Sequence, residues 1–142
     1  MRFWDSSAII PLLVMEPQTE VIGEVYADGS GMLVWWATEV ECASAIARRE
    51  REGFLPSPEV GQALERLAVL KDEWHELQPA ERARSIARRM LRVHPLRAGD
   101  ALQLAAALLG SEGDPNSLEL VTLDERLSDA ANKEGFVTIP GA

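Results

Sequence analysis

Three observations predict an α/β fold with a mainly parallel sheet of about four to five strands. Apolar runs of strand length, at residues 1–4, 32–36 and 118–123, alternate with longer segments whose apolar residues recur at helical spacing. The run 32–36 is continuous rather than alternating, the pattern of a strand covered by helices on both faces. The first and last of the three lead straight into an aspartate, Asp5 and Asp124, and open parallel sheets bind their ligands beyond the carboxyl ends of the strands.

In chain order, residues 1–4 read as an aromatic-rich strand ending at Asp5-Ser6-Ser7, a cluster of capping residues before a helix over the apolar run from Ala8. Pro11 is close enough to that helix start to be tolerated. Residues 18–27 form a second short helix, and Asp28-Gly29-Ser30-Gly31 a turn. Strand 32–36 leads into helix 37–52, closed by Gly53 in the C-terminal cap position. Val60, Leu64, Leu67 and Trp74 recur at helical spacing, and residues 74–77 read as a short strand. After Pro79, the set Ala83, Ile86, Ala87, Met90 and Leu91 fits the i, i+3, i+4, i+7, i+8 template. Arg88 and Arg92 then fall on the opposite, basic face. Residues 100–109 form a strongly apolar helix, and 110–117 a loop rich in Gly, Pro, Asn and Asp. Strand 118–123, helix 125–134, a turn at Gly135 and strand 136–139 follow. No internal repeat, low-complexity tract or linker interrupts the series, so residues 1–142 are expected to be one domain.

With 142 residues, 46% of them hydrophobic, the chain can bury a core without disulfides or structural zinc. Its one cysteine, Cys42, can neither pair internally nor build a zinc site alone; it reads as a small buried hydrophobe in a reducing, cytoplasmic setting. A carboxylate at residue 5 and the lack of an apolar h-region argue against a signal or transit peptide. The longest apolar runs, 8–15 and 104–109, are too short to span a bilayer, so no membrane partner is expected.

A formal charge of −9 argues at first sight against a nucleic-acid partner, since phosphate binding relies on lysine and arginine. The distribution of charge argues the other way. Eleven of the fourteen basic residues lie between Arg48 and Arg97 among eight acids, a local excess of +3, while the rest of the chain holds −12. An acidic region beside a basic one suits a site that holds metal in one place and a polyanion next to it. Ordinary solvated helix faces account equally well for about half of these arginines.

Four carboxylates are candidates for the acidic part. Asp5 and Asp124 follow strands, where aspartate also serves as a common turn or capping residue. Glu41 sits one turn into its helix, where an acid is favoured by the helix dipole, and Glu39 competes with it; spacing alone does not choose between them. Asp100 is the one charge on an otherwise apolar helix, and as an N-cap it would need no further explanation. If the four converge, two like charges about 4 Å apart repel by about 4 kcal/mol at an effective dielectric of 20. A cation offsets that repulsion. Magnesium or manganese suits carboxylate and water oxygens, and the chain lacks the Cys/His clusters that favour zinc. Such an ion would activate water against a phosphodiester without any protein nucleophile.

Four segments carry a family resemblance across nearly the whole chain: Phe3-Trp4-Asp5-Ser6-Ser7-Ala8, Val40-Glu41-Cys42-Ala43-Ser44-Ala45-Ile46-Ala47-Arg48, Leu96-Arg97-Ala98-Gly99-Asp100-Ala101-Leu102-Gln103-Leu104-Ala105, and Leu120-Val121-Thr122-Leu123-Asp124-Glu125-Arg126-Leu127. Each is short, but in this order and at these spacings the chain resembles the PIN-domain nucleases, and within them the VapC toxins of VapBC toxin-antitoxin systems. The resemblance implies a PIN-like three-layer α/β/α fold. It also implies a magnesium-dependent ribonuclease that cuts single-stranded or looped RNA, a VapB-type antitoxin partner and a homodimer. It assigns Asp5, Glu41, Asp100 and Asp124 as metal-binding and catalytic acids, selects Glu41 over Glu39, and gives Ser7 and Thr122 supporting roles. Gln103 departs from relatives that often carry histidine there, which bears on substrate detail. Arg48, Arg88, Arg92 and Arg97 are the candidate RNA contacts.

Two other functional classes compete. A receiver-like phosphoacceptor domain wants paired acids after the first strand and a late lysine, yet two serines follow Asp5 and neither Lys71 nor Lys133 is suitably placed. A non-catalytic PIN-like binding module would be expected to lack one or more of the acids, and all four are present. Trp4 and Trp35-Trp36 flank the proposed site, where an indole could stack on a base, although core packing explains them better. His75 and His94 lack metal-ligand spacing and are assigned surface or structural roles. Gly29-Ser30-Gly31 precedes a strand and lacks a phosphate-loop lysine, so it is not read as a nucleotide site.

Overall fold

The computed structural model describes residues 1–141, and in them a five-stranded, wholly parallel sheet lies between two layers of helices. Strand β1 (Arg2–Trp4) occupies the centre. On one side it pairs with β2 (Met32–Trp35), which pairs with β3 (His75–Leu77); on the other it pairs with β4 (Leu120–Val121), which pairs with β5 (Thr138–Ile139). The order is therefore β3-β2-β1-β4-β5. The direction of winding reverses between β1 and β4, which makes their carboxyl ends the switch point of the sheet.

Period-two alternation divides the core. Trp4, Val34 and Val121 face the layer of α1 (Ser6–Leu13), α2 (Thr19–Ala27), α3 (Thr38–Arg51) and α4 (Ser57–Glu73). Phe3, Trp35 and Leu120 face α5 (Glu81–Val93), α6 (Ala98–Gly110) and α7 (Glu125–Lys133). Both faces of the central strands are thus covered, as the continuous apolar run at 32–36 predicts. Cys42 is buried in the first layer.

Several boundaries depart from the sequence expectations for local reasons. Helix α1 starts at Ser6 because the Asp5 side chain accepts from the Ser7 N–H and caps it, and Pro11 lies inside the helix. Strand β4 is two residues long rather than six, and a 3-10 turn, Pro115–Ser117, forms within the expected loop. Leu91, counted with the apolar face of α5, is 42% exposed; Ala83, Ala87 and Met90 supply the buried face. Helix α6 starts at Ala98 with Arg97 in the capping position, so Asp100 is not an N-cap. Among the described residues no helix is long and apolar enough to cross a membrane.

Candidate active site

Asp5 stands at the end of the central strand, buried, with its backbone N–H bonded to Val121 O of β4. Its Oδ2 collects the hydroxyls of Ser7 and Thr122, the latter at 2.9 Å, and the Ser7 N–H at 3.4 Å. Ser7 Oγ in turn accepts from Leu123 N at 2.9 Å, and Thr122 Oγ1 accepts from Asp124 N at 3.1 Å. One small polar network therefore ties the start of α1 to the segment leaving β4. It saturates one oxygen of Asp5, while Oδ1 has only a long contact to Ser6 Oγ at 3.4 Å.

Asp124 sits 119 residues from Asp5 in sequence and directly across the switch point. Its Oδ1 accepts from Leu127 N at 2.9 Å and caps α7, so the capping role is real. Asp124 also lines the cleft described next, so capping and cleft lining coexist in one side chain.

Glu41 and Glu39 part company. Glu39 pairs with Lys71 at 2.9 Å, whereas Glu41 turns toward Asp5. Glu41 Oε1 accepts a short hydrogen bond from Gln103 Nε2, which also donates to Thr38 Oγ1 at 3.0 Å. Its other oxygen approaches Gly99 so closely that a Cβ there would lie 3.2 Å from Oε2. Gln103 is 1% exposed, so it lies beneath the site rather than on a substrate-facing surface. Sequence reasoning missed its contact with Glu41. The available signal was that Gln103 is the lone polar residue within 101–109 of an apolar helix, and a buried amide needs partners.

Asp100, in the first turn of α6 and free of the capping duty, completes the set. Asp5, Glu41, Asp100 and Asp124 all line one cleft of about 590 Å³ together with Ser6, Ser7 and Arg48. A second cleft, of about 630 Å³, shares Glu41, Asp100 and Asp124 with it and adds Arg97, Gly99, Glu125 and Arg126.

Crowding and burial are visible in the protonation equilibria. Burial pushes Glu41 up to about 7, helped by the charges of Asp5 and Asp100 and opposed by the Gln103 bond. Asp100 rises to about 6, first through burial and then through Asp124 and Asp5, with Arg97 offsetting part of it. Asp5 is raised by burial against the pull of the Ser7 and Thr122 hydroxyls. Among the described residues no group of three or more His, Cys, Asp or Glu side chains is gathered into a finished metal site. The donor set nonetheless fits a hard divalent cation: it is all carboxylate oxygen, and one of its members holds an oxygen turned away from its own hydrogen-bond network.

The remaining sequence candidates lie as follows. Arg48 lines both clefts and Arg97 the second, while Arg88 and Arg92 are exposed on α5 and line neither. Trp4 and Trp35 are core residues, and Trp36 is half exposed. His94 is buried against Glu134 at 2.6 Å, and His75 is exposed.

The sequence profile of the PIN domain family matches residues 2–133. Ribonuclease VapC45 of Mycobacterium tuberculosis is 29% identical over 141 residues, covering 97% of this chain and 94% of that protein. Among solved structures, FitAcB from Neisseria gonorrhoeae superposes with a TM-score of 0.66 at 17% identity, covering 97% of this chain and 96% of its own. A toxin-antitoxin complex from Klebsiella pneumoniae does so with a TM-score of 0.57 at 15% identity and 90% coverage of each chain. At those identities the two structures bear on the fold, and they share its three-layer α/β/α arrangement.

Proposed function

Because the chain belongs to the PIN domain family, we propose that it is a metal-dependent endoribonuclease, a toxin of the VapC type that cuts single-stranded or looped RNA. The observation that supports this most is the convergence of Asp5, Glu41, Asp100 and Asp124 on one cleft at the switch point of the sheet. The relatives that bear the name ribonuclease, similar over nearly the full chain, point the same way.

In this reading the four acids would hold a magnesium or manganese ion, which when bound would supply the positive charge that activates water and offsets charge on the phosphodiester. The chain's own residues set the geometry. Ser7 and Thr122 lock one oxygen of Asp5 and leave the other to the cleft. Gln103 fixes Oε1 of Glu41, and Oε2 lies against Gly99 on the cleft side. Arg48 and Arg97 hold the strand at the clefts, and Arg88 and Arg92 extend the basic surface along α5.

The same reading makes residues 1–142 one cytoplasmic PIN domain that forms a homodimer and is inhibited by a cognate VapB-type antitoxin. The test is cleavage of RNA by the purified protein with magnesium or manganese and its loss with EDTA. Cleavage that survives EDTA, or none with either metal, sinks the proposal.

A further inference from the structure

The acids of the candidate site straddle two clefts of different chemistry, and the difference gives the substrate strand a direction. In the first cleft Arg49 is already matched by its ion pair with Glu16, which leaves Arg48, shared with the second cleft, as its one arginine outside an ion pair, among the acids and the apolar Ile10, Val40 and Ala45. The second cleft carries Arg48, Arg97 and Arg126, all exposed, and none of the three takes part in an ion pair among the described residues.

The backbone at this cleft is already engaged by acids: Glu41 Oε2 lies against Gly99, and the Asp100 carboxyl meets the Arg97 backbone at the start of α6. The three arginines are the groups of this cleft that recognise phosphate oxygens. Arg126, to which sequence patterning gave no role, is one residue into α7, and the cap that Asp124 provides fixes that turn beside α6.

We propose that a backbone phosphate next to the scissile one seats in this second cleft, held by Arg97, Arg126 and Arg48. The strand then leaves the acidic centre between the starts of α6 and α7, and not over the Ile10 and Val40 side. The identity of the strand as RNA rests on the ribonuclease reading above; the phosphate chemistry of the cleft does not.

The test measures binding instead of cleavage, with a fluorescein-labelled oligouridylate titrated in EDTA at several potassium chloride concentrations. Arg97→Gln and Arg126→Gln are each expected to weaken binding roughly three- to tenfold and to lower the slope of log affinity against log salt by about 0.7, the counterion release of one single-strand phosphate. Lys133→Gln removes the same charge from the far end of α7 and should keep the parent slope. Arg97 and Arg126 variants whose slopes match that of Lys133→Gln overturn the subsite, as does a parent protein that binds no oligouridylate. Failure of the ribonuclease reading looks different: binding with this arginine dependence, and no cleavage with either metal.

Discussion

The amide of Gln103 donates to Glu41 Oε1 across 62 positions of sequence, while its own Oε1 is buried without a partner. A hydrogen bond to a charged group contributes about 1.5–3 kcal/mol, and an unpaired buried oxygen costs a comparable amount. Gln103→Leu removes both but also strips the buried Thr38 hydroxyl and Glu41 of their donor, so it should cost about 1–3 kcal/mol of stability. Activity should fall about tenfold or more, because Glu41 loses its fixed orientation. Losing the bond also removes a downward pull on the Glu41 carboxyl, so in EDTA that carboxyl should titrate at higher pH than in the parent. A variant with the parent's activity and the parent's titration would show that Gln103 does not position Glu41.

Asp5→Asn and Asp100→Asn should each reduce RNA cleavage at least about a hundredfold, since each takes a carboxylate from the set that holds the cation. Glu39→Gln should retain most activity, because Glu39 is engaged with Lys71 outside the cleft. Parallel kinetics on the three variants check this, and a dead Glu39→Gln beside an active Glu41→Gln would reverse the assignment.

Glu41 also makes stability depend on pH. Its folded value, about 7, lies above the ordinary 4.5, so its contribution is fully present below about 4.5 and is lost as pH rises through about 7. Asp100, raised from 3.8 to about 6, acts in the same direction at lower pH. In EDTA, Glu41→Gln should therefore gain stability relative to the parent between pH 4.5 and 8. Urea melts at several pH values measure that difference; a constant difference across the range contradicts it.

Asp124→Asn separates capping from charge. Asparagine caps about as well as aspartate, so the bond to Leu127 N should persist and α7 should hold. Relief of repulsion among the acids should raise the melting temperature in EDTA, and the stabilisation that millimolar magnesium gives the parent should largely disappear. A parent whose melting temperature ignores both magnesium and manganese would count against the whole metal reading.

Much of this arrangement was legible in the sequence because it depends on local signals. Apolar runs gave the strands, the Asp-Ser-Ser cluster gave the start of α1, and strand-end aspartates fell at the switch point. The separation of Glu41 from Glu39 came from resemblance, since both lie in the first turn of α3 and helical spacing cannot tell which acid meets a distant partner. Asp100 read as a plausible cap because the chain shows no better capping residue nearby; the backbone instead enters α6 at Arg97. The extent of β4 was overestimated because apolarity reports burial, whereas strand length is set by where the neighbouring strands end. The Gln103–Glu41 contact and the gathering of Arg126 with Arg97 are products of tertiary packing between helices far apart in sequence.

The bond between Thr122 and Asp5 joins residues 117 positions apart, and it marks where the two halves of the acidic centre meet. Until the stretch through Thr122 has been synthesised and has cleared the ribosome, Asp5 has neither its hydroxyl partner nor Asp124 beside it. A nascent chain that has made only β1, α1 and α3 therefore carries Asp5 and Glu41 without the other half of the cleft. The fold therefore withholds the assembled cleft until the whole span from Asp5 to Asp124 has left the ribosome.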